Sequence, residues 1–156
     1  MGVITIPGFD ALKFEHLVLD YNGTIAVDGC LIPGVASRLI NLASAMTIHV
    51  VTADTFGKAR ARLSEIPCRF SLISEGKQAD QKRDYVRNLG SRSCVCIGNG
   101  RNDALMLKEA ALGIGVVQTE GACSRTLFSA DVVCTDINSA LDLLKNPLRL
   151  IATLRS

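Results

Sequence analysis

The sequence predicts an α/β fold, a three-layer, doubly wound, mainly parallel sheet with a small β-hairpin flap after the first strand. Three observations predict it. Short apolar runs bounded by turn residues alternate with segments of helical spacing, the pattern of a parallel sheet with helical crossovers. Polar residues gather directly after several of those runs, where open α/β sheets place their ligand crevices. Hydrophobic residues make up 48% of the 156, enough to cover both faces of a sheet. No linker, repeat or low-complexity stretch interrupts the pattern, so residues 1–156 are expected to form one domain.

The elements follow in order. Ile4-Thr5-Ile6 fits a short edge strand before the Pro7-Gly8 turn. Leu17-Val18-Leu19 reads as a buried strand that ends abruptly in Asp20, with a turn at Asn22-Gly23. Residues 25–32 read as a hairpin turning at Asp28-Gly29, since Asp-Gly suits a two-residue turn. Pro33-Gly34 opens a helix with Val35, Leu39, Ile40 and Leu42 near helical spacing. Strands are expected at 47–51, 69–74, 93–97, 112–117 and 131–134. Helices are expected after Asp54 to about Leu63, then at 78–89, 103–111, 121–129, 137–144 and 147–154. Gly90 is a natural helix stop.

Bulk composition excludes several partners. The formal net charge is +2, which leaves no polybasic footprint for nucleic acid. No apolar run approaches the roughly 20 residues of a membrane span. Residues 1–10 lack a basic region followed by a long apolar core, so no signal peptide is expected, and the expected location is cytoplasmic. Six cysteines are scattered, mostly in apolar runs. Cys94 and Cys96 share a strand face, but their one-residue gap is not that of a zinc knuckle or a redox pair. Buried thiols in a reducing compartment are expected.

Four polar signals stand just after strands or at a helix start: Asp20, Thr52, Lys82 and the loop 99–103. Asp20 alone allows a nucleophile, a metal ligand or a structural cap. Together the four suit phosphoryl transfer, which needs a nucleophile and positive groups around the phosphoryl oxygens. Asp20 can attack, and a magnesium-type cation can sit between Asp20 and Asp103. Thr52 can donate its hydroxyl, Lys82 can supply a point charge, and glycine turns let backbone N–H groups approach.

Asp20-Tyr21-Asn22-Gly23-Thr24 resembles the first motif of the haloacid-dehalogenase superfamily. Residues 98–107, Gly-Asn-Gly-Arg-Asn-Asp-Ala-Leu-Met-Leu, resemble the hinge motif of P-type ATPases, which belong to that superfamily. Thr52 closing a strand and Lys82 opening a helix match the second and third motifs, and residues 111–116 and 130–133 look like the ATPase phosphorylation domain. The resemblance covers roughly residues 16–145, and four motifs in order are far more specific than one.

The resemblance implies a magnesium-dependent phosphohydrolase with Asp20, Thr52 and Lys82 as its catalytic residues, acting through an aspartyl phosphate on Asp20. It places the phosphoryl group against Gly23, Thr24, Thr52, Ala53 and Lys82. It places Mg²⁺ among Asp20, the backbone carbonyl of Asn22, Asn99 and Asp103. Lys77 rivals Lys82, but Val86 and Leu89 follow Lys82 at the motif's spacing. The gaps from Thr24 to Thr52 and from Thr52 to Lys82 are too short for a cap domain. The 25–32 hairpin resembles the flap of small sugar-acid phosphatases, which implies a homo-oligomer through that flap. The implied partner is a phosphorylated small molecule or macromolecule, with no nucleic acid and no membrane.

Two positions depart from the family. Asn22 replaces the usual general acid and base, and Asn99 replaces a usual metal-binding aspartate. An amide moves no proton, so a slow enzyme is expected. The pair of changes also leaves open a degenerate phosphate-binding or regulatory module without turnover. Both amides precede glycine, and deamidation there would supply the absent carboxylates. Among the other polar residues, Asp54 reads as a helix N-cap and Arg101 as either a phosphate contact or a solvated charge. His16 and His49 read as packed structural residues, and Asp131 as a turn residue.

Overall fold

The computed structural model describes residues 2–53 and 58–156; the Asp54 cap lies outside them. Six parallel strands form one sheet in the order β5-β4-β1-β6-β7-β8: β1 His16–Leu19, β4 Thr47–Thr52, β5 Cys68–Leu72, β6 Cys94–Gly98, β7 Leu112–Val116 and β8 Val132–Cys134. β1 is central, with Leu19 paired to Val50 of β4 and to Ile97 of β6. The chain winds outward from β1 through β4 and β5, then crosses back to β6. The β1/β6 junction is therefore the switch point where the sheet edges open into a crevice.

Alternation along β1 assigns the layers. Leu17 and Leu19 face a large core with α1 (Val35–Leu42), α2 (Lys58–Arg62), α6 (Ile137–Lys145) and α7 (Pro147–Leu154). Val18 faces the opposite core, with Val86 of α3 (Gln78–Leu89) and Met106 and Leu107 of α4 (Ala104–Glu109). Cys94 and Cys96 of β6 lie in that second core, where burial pushes both thiols up. Cys30 is instead exposed, because it sits on the flap.

The flap is the antiparallel pair β2 (Ala26–Val27) and β3 (Cys30–Leu31), and Asp28 and Gly29 both have positive φ at its turn. Tyr21 is buried and donates its hydroxyl to the Gly29 carbonyl, anchoring the turn. Between Thr24 and Lys82 the described residues hold only this flap, α1, β4, α2, β5 and the first turn of α3; no cap domain is inserted among them.

Four boundaries differ from expectation. Ile4-Thr5-Ile6 is not a sheet strand, since Ile4 pairs only with Leu12 across a local loop. β5 ends at Leu72, because Ser74 turns away to bond the Gln81 side chain. A 3-10 turn over Arg101–Asp103 precedes α4, which starts at Ala104. Helix α5 (Ser124–Ser129) starts late because Gly121, at φ +72°, and the extended Cys123 are both bonded to Asn99.

Candidate active site

Asp20 follows β1, and its N–H still bonds the Ile97 carbonyl at 3.1 Å, so the side chain is fixed by the sheet ladder. The Tyr21 carbonyl then accepts from the N–H groups of Thr24, Ile25 and Ala26, which curls the chain back over Asp20. Gly23 has φ +79°, and a Cβ there would lie 2.3 Å from the Asn99 amide nitrogen. Only glycine allows the 20–24 and 98–103 loops to pack this closely.

Lys82 sits one turn before Val86 on the buried face of α3, so its side chain runs under the sheet edge. Its ammonium donates to Asp20 Oδ1 at 2.6 Å and to Asp103 Oδ1 at 2.7 Å. Lys77 is exposed and joins none of this. Asp103 is fully buried, and its Oδ2 accepts from the N–H groups of Asn99 and Gly100. Thr24 donates its hydroxyl toward Asp20 Oδ2 at 3.1 Å and Asn99 Oδ1 at 3.2 Å. Thr52 is the last residue of β4, beside β1, and is buried with Ala53 half-exposed after it. Asn22 is exposed at the mouth.

Burial penalises the charge on Lys82, but Asp20 and Asp103 outweigh it and hold the lysine above its usual range. Burial, then the charge on Asp20, pushes the Asp103 carboxyl up to about 6, against the pull of Lys82. The trio carries a net charge of −1 with its lysine charged, and a phosphate dianion would be repelled from it.

A divalent cation fits that charge. The available donors are hard oxygens, two carboxylates and the Asn99 amide, the set that suits magnesium rather than zinc or copper. The Lys82 ammonium already shows that the two carboxylates accept a shared cation. Among the described residues no cluster of three His, Cys, Asp or Glu side chains exists, so one ligand would be the neutral Asn99.

The sequence reading did not single out three further residues. Gln118, just beyond β7, donates its amide to the carbonyls of Gly23 and Thr24 and accepts from the Ile137 N–H. Its place after a strand end was the available signal. Thr126 of α5 donates to the Gly100 carbonyl at 2.6 Å. Asn102 faces Lys82 at 3.5 Å and bonds Gln78. The two Asn-Gly amides are also occupied: Gly23 N–H bonds Ala26, and Gly100 N–H bonds Asp103. That engagement opposes the cyclisation deamidation needs.

No family model matches the chain. It is 55% identical over 65 residues to an uncharacterized protein of Methanocaldococcus jannaschii, covering 42% of this chain and 70% of that one. It is 28% identical over 140 residues to the soluble P-type ATPase-like phosphatase of the same organism, covering 86% of this chain and 50% of that one. The chain thus spans half the length of that second relative.

Among solved structures it resembles the 3-deoxy-D-manno-octulosonate 8-phosphate phosphatase of Moraxella catarrhalis, a structure holding magnesium, phosphate and the sugar acid. The TM-score is 0.71 at 17% identity, over 91% of this chain and 94% of that one. A subfamily III A hydrolase structure of the same superfamily from Legionella pneumophila gives 0.72 at 15% identity, over 91% and 87%. A zinc-transporting PIB-type ATPase gives 0.63 at 26% identity, over 79% of this chain and 20% of that one. Among the described residues no helix is long and apolar enough to cross a membrane. Sequence relatives and fold agree with the motifs: the chain resembles the haloacid-dehalogenase superfamily, and within it the phosphorylation domain of P-type ATPases, with no cap domain among the described residues.

Proposed function

We propose that the chain is a magnesium-dependent phosphomonoester phosphatase that works through an aspartyl phosphate on Asp20. The observation that carries this reading is the Lys82 ammonium held between Asp20 and Asp103 at a sheet switch point. Asp20 is the one member of that trio whose side chain reaches solvent, at 10% exposure. Its carboxylate oxygen forms a bond to phosphorus as the ester P–O bond breaks and the leaving alkoxide takes a proton from water. Water then attacks phosphorus, the Asp20–phosphorus bond breaks, and inorganic phosphate leaves.

Lys82 and the Thr52 hydroxyl hold the phosphoryl oxygens, with the Ala53 N–H beside them, while Gly23 and Thr24 form the loop that closes over the phosphoryl group. Asp20, the Asn22 carbonyl, Asn99 and Asp103 would hold Mg²⁺, which supplies positive charge against the phosphate. Asn22 cannot protonate the leaving group or activate water, so turnover is slower by about 10²–10⁴-fold than with a carboxylate there. In keeping with the capless site, two copies associate through the 25–32 flap, and a monomer in light scattering contradicts that part.

The second reading is a phosphate-binding module without turnover, favoured by the amides at Asn22 and Asn99. Phosphate release from p-nitrophenyl phosphate with Mg²⁺ separates the two. Release that disappears in Asp20→Asn supports the enzyme. No release from a broad ester panel supports the module.

A further inference from the structure

A cavity of about 790 Å³ lies against the site, lined by residues 76–79, residues 100–105 except Asp103, and Arg125. Three of its lining side chains are cationic, Lys77, Arg101 and Arg125, and none is acidic. The other cavities described have carboxylates in their walls: Glu15 in one, Asp10, Glu109 and Asp131 in a second, Asp136 in a third. Among the described residues no carboxylate pairs with Lys77, Arg101 or Arg125, whereas Arg38, Lys82, Arg83 and Arg87 all have ion-pair partners. The cavity wall therefore carries three positive charges with no carboxylate in it or ion-paired to it among the described residues.

The cavity is built rather than incidental. Lys77 is held at φ +49°, a left-handed conformation uncommon for a side-chain-bearing residue. Gln81 fixes the turn before it, bonding the carbonyls of Ser74 and Gly76 with its amide N–H groups and accepting from Ser74. Asn102 connects cavity and site directly, with its amide nitrogen on Gln78 in the wall and its oxygen 3.5 Å from Lys82 Nζ. Gly100, also in the wall, gives its N–H to Asp103. The volume lies inside the roughly 300–1,000 Å³ range of small-molecule sites.

We propose that the phosphate ester taken by this site carries a second anionic group on its leaving portion, seated among Lys77, Arg101 and Arg125. This rests on the phosphatase reading above and narrows it to a substrate class, small esters with a remote phosphate or carboxylate. Arg101 and Arg125 give forked donors suited to either group, and Lys77 a mobile point charge.

The test compares glycerol 3-phosphate, 3-phosphoglycerate and glycerol 1,3-bisphosphate, whose second group is a hydroxyl, a carboxylate or a phosphate. p-Nitrophenyl phosphate is the reference for turnover. The two anionic compounds are expected to exceed glycerol 3-phosphate in kcat/KM by on the order of tenfold or more, a gap of about 1.4 kcal/mol. The better of the two identifies carboxylate or phosphate. In Arg101→Ala/Arg125→Ala the advantage should vanish while p-nitrophenyl phosphate turnover persists. The same change at Arg92 and Lys108, outside the cavity, should leave the advantage intact. Equal rates for all three compounds, or an advantage untouched by the double substitution, overturns the inference and leaves the phosphatase reading standing. If no compound is hydrolysed, the phosphatase reading fails instead. Calorimetric binding to Asp20→Asn protein then decides this one, by whether the anionic compounds bind more tightly and lose that in the double variant.

Discussion

Replacing Lys82 by methionine tests the centre of the site. The ammonium contacts two carboxylates at 2.6 and 2.7 Å, and neither Lys82 nor Asp103 reaches solvent. At an effective dielectric of about 20, each contact is worth about 6 kcal/mol of attraction. Burying an ammonium costs several kcal/mol, and the variant removes that cost along with the attraction. What remains is two facing carboxylates, one of them wholly buried. Breaking a buried pair in this way costs about 3–5 kcal/mol, the loss expected in urea unfolding at pH 8. The loss should shrink on acidification. Without Lys82 the Asp103 carboxyl rises further above the ordinary 3.8, so the folded state binds its proton more tightly than the unfolded chain. The penalty is then complete above the folded value and absent below about 4. Adding Asp103→Asn should recover part of the loss at pH 8. A deficit under about 1 kcal/mol, or one equal at pH 5 and pH 8, would refute the reasoning.

Three further outcomes follow from the same geometry. His49 is fully buried between His16 and Tyr85, and burial, then the charges of His16 and Arg69, lower it to about 4 from 6.5. The unfolded chain therefore takes that proton first, and about 3 kcal/mol of stability should be lost as pH falls from about 6.5 to 4. His49→Gln should flatten that slope in urea titrations. Asn99→Asp gives up the amide bond to the Gly121 carbonyl and adds a third carboxylate, so metal-free protein should lose about 1–3 kcal/mol. Added Mg²⁺ should raise its melting temperature more than that of the unsubstituted protein, and an equal Mg²⁺ response counts against Asn99 as a ligand. Gln118→Leu leaves two loop carbonyls and the Ile137 N–H without this partner, and should cost about 1–3 kcal/mol with a fall in kcat. Unchanged kcat would mean that the amide does not position the Asp20 loop.

Local pattern made much of this legible. The buried strand into Asp20, the Asp28-Gly29 hairpin and helix 78–89 are each written in contiguous residues, and the structure places them as read. Lys82 was distinguishable from Lys77 because Val86 marks the buried helical face one turn later. Gln118 and Thr126 were not legible as partners of the site loops, because each acts across long sequence separation with no local periodicity. The late start of α5 had the same origin: contacts with Asn99 override the helical tendency of residues 121–123. Ile4-Thr5-Ile6 had strand composition, but its bonding groups close a local loop instead of extending the sheet.

The phenol tether from Tyr21 to the hairpin tip has a kinetic consequence. A ring buried in the interior at one end and bonded to a turn carbonyl at the other restrains the hairpin tip. Under the proposed phosphatase reading, substrate entry is then expected without an opening or shutting step of the hairpin. Viscosity should therefore leave the turnover number unchanged.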